Sequence, residues 1–94
     1  GRYTFHKFDP ERYPAVSICL NALKEGGIMP TILNAANEEA VYLFLAGKIP
    51  FLSIEKIVEK ALEHFPNVTH PTLREIRSAN FYTRLYIKRK YEGE

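Results

Sequence analysis

The chain has 94 residues, 46% of them apolar and 26% charged, the proportions of one small folded domain. A net charge of +2 is too small to argue for a nucleic-acid partner, and no apolar run reaches the roughly 20 residues of a membrane span. The single cysteine, Cys19, leaves no disulfide within the chain, which suits a reducing compartment.

The first residues, GRYTFHKFD, lack the apolar core of a signal peptide. Tyr3 and Phe5 alternate weakly with Thr4 and His6. Residues 1–13 therefore read as an extended connecting arm, ahead of a helical bundle over residues 14–94. Such an opening is odd for a self-contained domain and suits the tail of something longer.

The first predicted helix runs from Pro14 to Glu25. Proline suits the first helical position, where its missing N–H costs nothing. Ala15, Val16, Cys19, Leu20 and Leu23 supply the 3.6-residue apolar period, with Ser17, Asn21 and Lys24 on the wet face. Cys19 thus reads as a small buried hydrophobe and not a nucleophile. Gly26 and Gly27 end the helix in the left-handed conformation that glycine tolerates.

A second helix is expected over Pro30–Ala46, stopped by Gly47. A third starts at Ser53, read as its N-cap, with Leu52 and Ile57 placed for a hydrophobic staple. Ile54, Ile57, Val58, Ala61, Leu62 and Phe65 make it one-sided; Glu55, Lys56, Glu59, Lys60 and Glu63 form a solvated face. After the loop PNVTHP, a fourth helix begins at Thr72, which forms a capping box with Glu75, and ends near Tyr91. Arg89 and Lys90 in its last turn offset the helix dipole. The predicted fold is all-α: a small four-helix bundle behind an extended amino-terminal arm.

Two features exceed what a plain bundle needs. In LNAANEE, Asn34, Asn37 and Glu38 share one face of an otherwise apolar helix. Buried amides and carboxylates persist only with partners, and the fourth helix offers Asn80, Thr83 and Arg84 on a mixed stripe with Leu73, Ile76 and Ile87. The expected outcome is a structural polar cluster of Asn34, Asn37, Glu38 and Arg84. The second feature is the opposite stripe, Phe81, Tyr82, Leu85 and Tyr86. A peripheral helix cannot bury both faces in so small a bundle, so this one reads as a docking face.

Reactive chemistry is missing from the pattern. Gly26-Gly27 follows a helix and not a strand, so it is a cap and not a dinucleotide fingerprint. Cysteine and histidine show no zinc spacing, and His6, His64 and His70 are scattered. Glu38 and Glu39 are adjacent, so they point about 100° apart and cannot act as a two-carboxylate site. No catalytic, cofactor-binding or metal residue is assigned.

The run from FDPERYP through LNAANEEAVYLFLAGKIPF to IEKIVEKAL closely resembles the carboxy-terminal part of the 1-deoxy-D-xylulose 5-phosphate reductoisomerase family. The residues that carry it are Asp9, Arg12, Tyr13 and Pro14, the Gly26-Gly27 break, LNAANE at 33–38, Ala40 and Val41, FLAGKI-x-F at 44–51, and Ile54. In the fourth helix the family pattern A-D-x-x-A-R meets Ala79, Asn80, Thr83 and Arg84, so Asn80 and Thr83 depart from it. The resemblance extends from about Tyr3 to about Arg84.

It implies a supporting domain, inert alone, of an enzyme that converts 1-deoxy-D-xylulose 5-phosphate to 2-C-methyl-D-erythritol 4-phosphate with NADPH and Mg²⁺ or Mn²⁺. That enzyme serves non-mevalonate isoprenoid synthesis, as a homodimer in the bacterial cytoplasm or a plastid-type organelle. The implied partners are its upstream NADPH-binding and catalytic domains, with no cofactor held by this chain and no nucleic acid or membrane involved. The competing reading is a free-standing helical protein-interaction module.

Overall fold

The structure, a computed structural model, describes residues 14–91, with side-chain surroundings from residue 17. The expected arm, with Tyr3, Phe5 and Phe8, lies outside the described residues, as do the side chains of Ala15 and Val16. Four helices follow in order: α1 (Pro14–Glu25), α2 (Met29–Leu45), α3 (Ser53–His64) and α4 (Leu73–Tyr91).

The central element is α2, which packs most extensively on α3 and α4 and also meets α1. Its sequence explains that position. A helix apolar over most of its circumference has to be covered on several sides, and Ala35, Ala36 and Ala40, all fully buried, let neighbouring backbones approach closely. Around them Ile32, Leu43, Ile57 and Ile87 are the largest apolar side chains with almost no exposure.

The helix ends follow from local chemistry. At the end of α2, Gly47 adopts φ +77°, the Lys48 N–H donates to Leu43 O at 2.9 Å and the Gly47 N–H donates to Phe44 O at 3.0 Å. These are the two bonds of a Schellman motif. At the start of α4, the Glu75 N–H donates to Thr72 Oγ1 at 3.1 Å and the Thr72 N–H to Glu75 Oε1 at 2.9 Å, both bonds of a capping box. Thr72→Ala is expected to destabilise the bundle by about 1 kcal/mol in urea unfolding; an unchanged midpoint would deny the box any role.

Expectations for two of the helices are corrected. Ser53 is the first residue of α3 and not its cap; Leu52 holds that place with helical φ and ψ and makes no side-chain bond. The reason is the tight winding of the preceding turn, in which Ser53 N–H donates to Pro50 O and Ile54 N–H to Phe51 O, so backbone carbonyls already serve the first amides. Leu52 is 83% exposed while Ile57 is buried, so no staple forms.

The second correction concerns α1. Ala22 is buried and Ile18 packs against the core, whereas Cys19 is exposed and Leu20 and Leu23 are 51% and 59% exposed. This helix is apolar on two sides, and the described helices cover only the narrow Ile18–Ala22 seam. Periodicity alone selects the wider apolar side, which here faces outward.

Candidate functional site

The polar residues of α2 and α4 meet around one guanidinium. Arg84 Nη2 lies 2.5 Å from Glu38 Oε1, Nη1 lies 3.2 Å from Glu39 Oε2, and Nε donates to Asn80 Oδ1 at 2.7 Å. Asn80 sits one turn before Arg84 on the same helix, so it orients the fork without adding charge. The three charged side chains run from solvent to core: Glu38 is 58% exposed, Arg84 30% and Glu39 10%. The hydrogen bond to Glu38 holds the Arg84 pKa above the ordinary arginine value; burial pulls the other way and the Glu39 contact adds to the rise.

Glu39 escaped the sequence reading, which grouped Glu38 with Asn34 and Asn37. On a helix, Glu39 falls on the same side as Ile32, Ala36 and Leu43, and an acid on that stripe demands a cationic partner. That spacing was the available signal. Asn34 and Asn37 do not join Arg84: both are exposed, with no side-chain hydrogen bond among the described residues. Asn37 instead rims a small cleft of about 70 Å³ with Cys19, Leu33 and Ile54. Two buried oxygens, Glu39 Oε1 and Thr83 Oγ1, have no partner among the described residues.

The aromatic stripe of α4 divides in two. Phe81 and Tyr82 are 59% and 55% exposed and meet edge to face at 5.1 Å. Tyr86 turns inward, packed against the core. Its ring stacks on His64 at 4.2 Å and meets Phe65 edge-on at 5.6 Å, with Lys90 Nζ 5.4 Å from the ring centre. Leu85 is half-buried between the two pairs. A groove of about 430 Å³ runs alongside, floored by Phe65, Tyr86 and Leu85.

Among the described residues no three histidine, cysteine or acidic side chains gather as metal ligands. His64 and His70 are both exposed and far apart in role, one stacked on a ring and one in the loop before α4. The geometry is that of a cross-linked scaffold with an exposed apolar surface.

The model of the DXP reductoisomerase C-terminal domain family matches residues 1–86. The chain belongs to that family. It is 47% identical over 88 residues to the 1-deoxy-D-xylulose 5-phosphate reductoisomerase of Geobacillus kaustophilus, a match covering 94% of this chain and 23% of the relative. It is 46% identical over 91 residues to the reductoisomerase of Caldanaerobacter subterraneus, covering 97% of this chain and 24% of that one. Among solved structures, the Zymomonas mobilis reductoisomerase in complex with NADPH superposes with a TM-score of 0.81 at 38% identity, over 97% of this chain and 24% of that chain. The chain thus spans about a quarter of the length of these DXP reductoisomerases. The family match takes in both sides of the Arg84 cluster and stops at Tyr86, before the last turn of α4.

Proposed function

We infer that this chain acts as the carboxy-terminal supporting bundle of a DXP reductoisomerase and carries none of the reaction itself. The observation behind this reading is the family match over residues 1–86 in a chain that spans only 23% of its Geobacillus relative. The whole enzyme, by its relatives' name, acts on 1-deoxy-D-xylulose 5-phosphate; on this reading it forms 2-C-methyl-D-erythritol 4-phosphate with NADPH and Mg²⁺ or Mn²⁺, as a homodimer in the cytoplasm.

The described residues do not fit either group. Gly26 and Gly27 form the one paired-glycine turn, and space beside Gly27 is taken by Val68 O and Asn67 Oδ1, so protein and not a phosphate fills it. The adjacent acids Glu38 and Glu39 are engaged by Arg84. What the bundle supplies is rigidity: small misplacements of catalytic groups carry large rate penalties, and a bundle whose second and fourth helices are tied by an ion-paired arginine gives the rest of the enzyme a fixed body to rest on.

Complementation tests the reading. The chain is mixed with the amino-terminal remainder of a DXP reductoisomerase truncated before the matching segment, and NADPH oxidation is followed with 1-deoxy-D-xylulose 5-phosphate and Mg²⁺. Activity is expected only with both polypeptides present. A remainder fully active alone would show the bundle to be dispensable for chemistry.

A further inference from the structure

The outer side of α4 combines two features that the helix does not need for its own packing. Arg74, Arg77, Lys88 and Arg89 are all exposed, and they flank Phe81 and Tyr82 along a single stripe. Counted from Arg74, the positions are i, i+3, i+7, i+8, i+14 and i+15, the spacing of one helical face. That face is about 22 Å long at 1.5 Å per residue, and the one acid beside it, Glu75, is bonded back to the Thr72 N–H. Charge is unevenly divided as a result: α4 holds six of the 13 basic residues but one of the 11 acidic ones, Glu75. Of the six, Arg84 is the one that points sideways into ion pairs among the described residues. Dipole compensation explains Lys88, Arg89 and Lys90 in the last turn, but it would disfavour Arg74 in the first.

Two exposed aromatic rings amid four cations that form no ion pair among the described residues constitute a surface that an acidic, partly apolar surface would cover well. We propose that the outer face of α4 is the docking surface of the bundle, and that its partner is an acidic protein surface belonging to the preceding three-quarters of the enzyme. This rests on the supporting-bundle reading and adds the partner's charge and the residues that meet it. It also moves the surface: Tyr86, stacked on His64, is part of the bundle's own packing, and the strip runs instead from Arg74 to Arg89. Nucleic acid fits less well. Phe81 and Tyr82 are packed edge to face and not open as stacking platforms, and the chain's net charge is only +2.

The test places the chain in a whole enzyme, as a chimera in which it replaces the matching carboxy-terminal segment of the Geobacillus kaustophilus reductoisomerase. The unaltered chimera is expected to reduce its substrate and to unfold in one thermal transition. With Arg74→Glu, Arg77→Glu, Lys88→Glu and Arg89→Glu together, unfolding is expected to split into two transitions and the rate to fall about ten-fold or more. The isolated 94-residue chain carrying the same changes should keep its helical circular dichroism, since all four side chains are exposed. Should it fail to fold, the milder pair Arg77→Ala and Lys88→Ala replaces it, with a smaller loss that shrinks as added salt screens the attraction in the unaltered chimera.

One transition and undiminished activity in the charge-reversed chimera would overturn the docking surface and leave the supporting role standing. Two transitions in the unaltered chimera would overturn the supporting role, and the surface with it. A salt-stable dimer of the isolated chain that charge reversal abolishes, or tight binding of a labelled single-stranded oligonucleotide lost on the same reversal, would overturn the assigned partner.

Discussion

Arg84→Ala is expected to destabilise the bundle by about 3 kcal/mol, the scale for breaking a buried ion pair from one side. For a domain of this size that lowers the thermal midpoint by roughly 10–20 °C. Most of the loss comes from what is left behind. Glu39, 10% exposed, would lose its donor, and its second oxygen, Oε1, already has none among the described residues. Glu38 matters less, because it is 58% exposed and water can replace the arginine; Glu38→Gln should cost under about 1 kcal/mol. Restoring the balance should recover stability: Arg84→Met combined with Glu39→Leu is expected to lie above Arg84→Ala, since apolar side chains of similar size often replace a buried pair at little cost. A midpoint for Arg84→Ala within about 2 °C of the parent chain, read on the same scale, would sink the account.

The pH dependence has a definite sign. Arg84 has a raised pKa in the folded chain, first through its bond to Glu38. A base with a raised folded pKa contributes stability that is complete below its unfolded value and is lost only as pH climbs through the folded one. For arginine both lie in strong alkali. The stability gap between the parent chain and Arg84→Ala is therefore expected to stay flat from neutral pH to about pH 10.

How much of this could be read in the sequence varies with the kind of signal. Helix ends marked by glycine or by a Thr-x-x-Glu box were legible, because each depends on a few adjacent residues. The α1 boundaries, the Gly47 stop and the Thr72–Glu75 box required nothing else. The one-sided α3 was legible for the same reason: Ile57, Val58 and Ala61 form an unambiguous stripe. Helix α1 was not. With Ile18 and Ala22 on one side and Cys19, Leu20 and Leu23 on the other, its periodicity has two solutions, and only its neighbours decide between them. The polar cluster was half legible. Glu38 and Arg84 stood out by their rarity on apolar stripes, while Glu39 was hidden by adjacency and Asn34 and Asn37 by sharing a face with Glu38. The split of the aromatic stripe depended on His64, a residue of another helix, and no spacing within α4 carries that.

The loop PNVTHP looked like a plain connection, and its role yields the second large effect. Ile28 N–H donates to both Val68 O and Asn67 Oδ1, each at 3.0 Å, so the loop before α4 straps down the turn between α1 and α2. Gly27, at φ +61°, makes room for the strap: a methyl there would run into Val68 O and lie 2.7 Å from Asn67 Oδ1 and 3.0 Å from Thr69 Cα. None of these is the free end of a long side chain, and retreat of the loop would break the bonds to Ile28. Gly27→Ala is thus expected to cost about 3–4 kcal/mol, combining a left-handed backbone penalty of roughly 1–2 kcal/mol with the loss of the strap's hydrogen bonds. Its neighbour provides the control. Gly26 has almost the same φ, +66°, but nothing within 4 Å of a would-be Cβ, so Gly26→Ala should cost only the backbone share, about 1–2 kcal/mol. Denaturant unfolding of the two variants side by side separates conformation from contact. Equal losses would mean that the strap contributes nothing; a Gly27→Ala loss about twice that of Gly26→Ala would show that the turn between the first two helices is held from 40 residues downstream, by Asn67 and Val68.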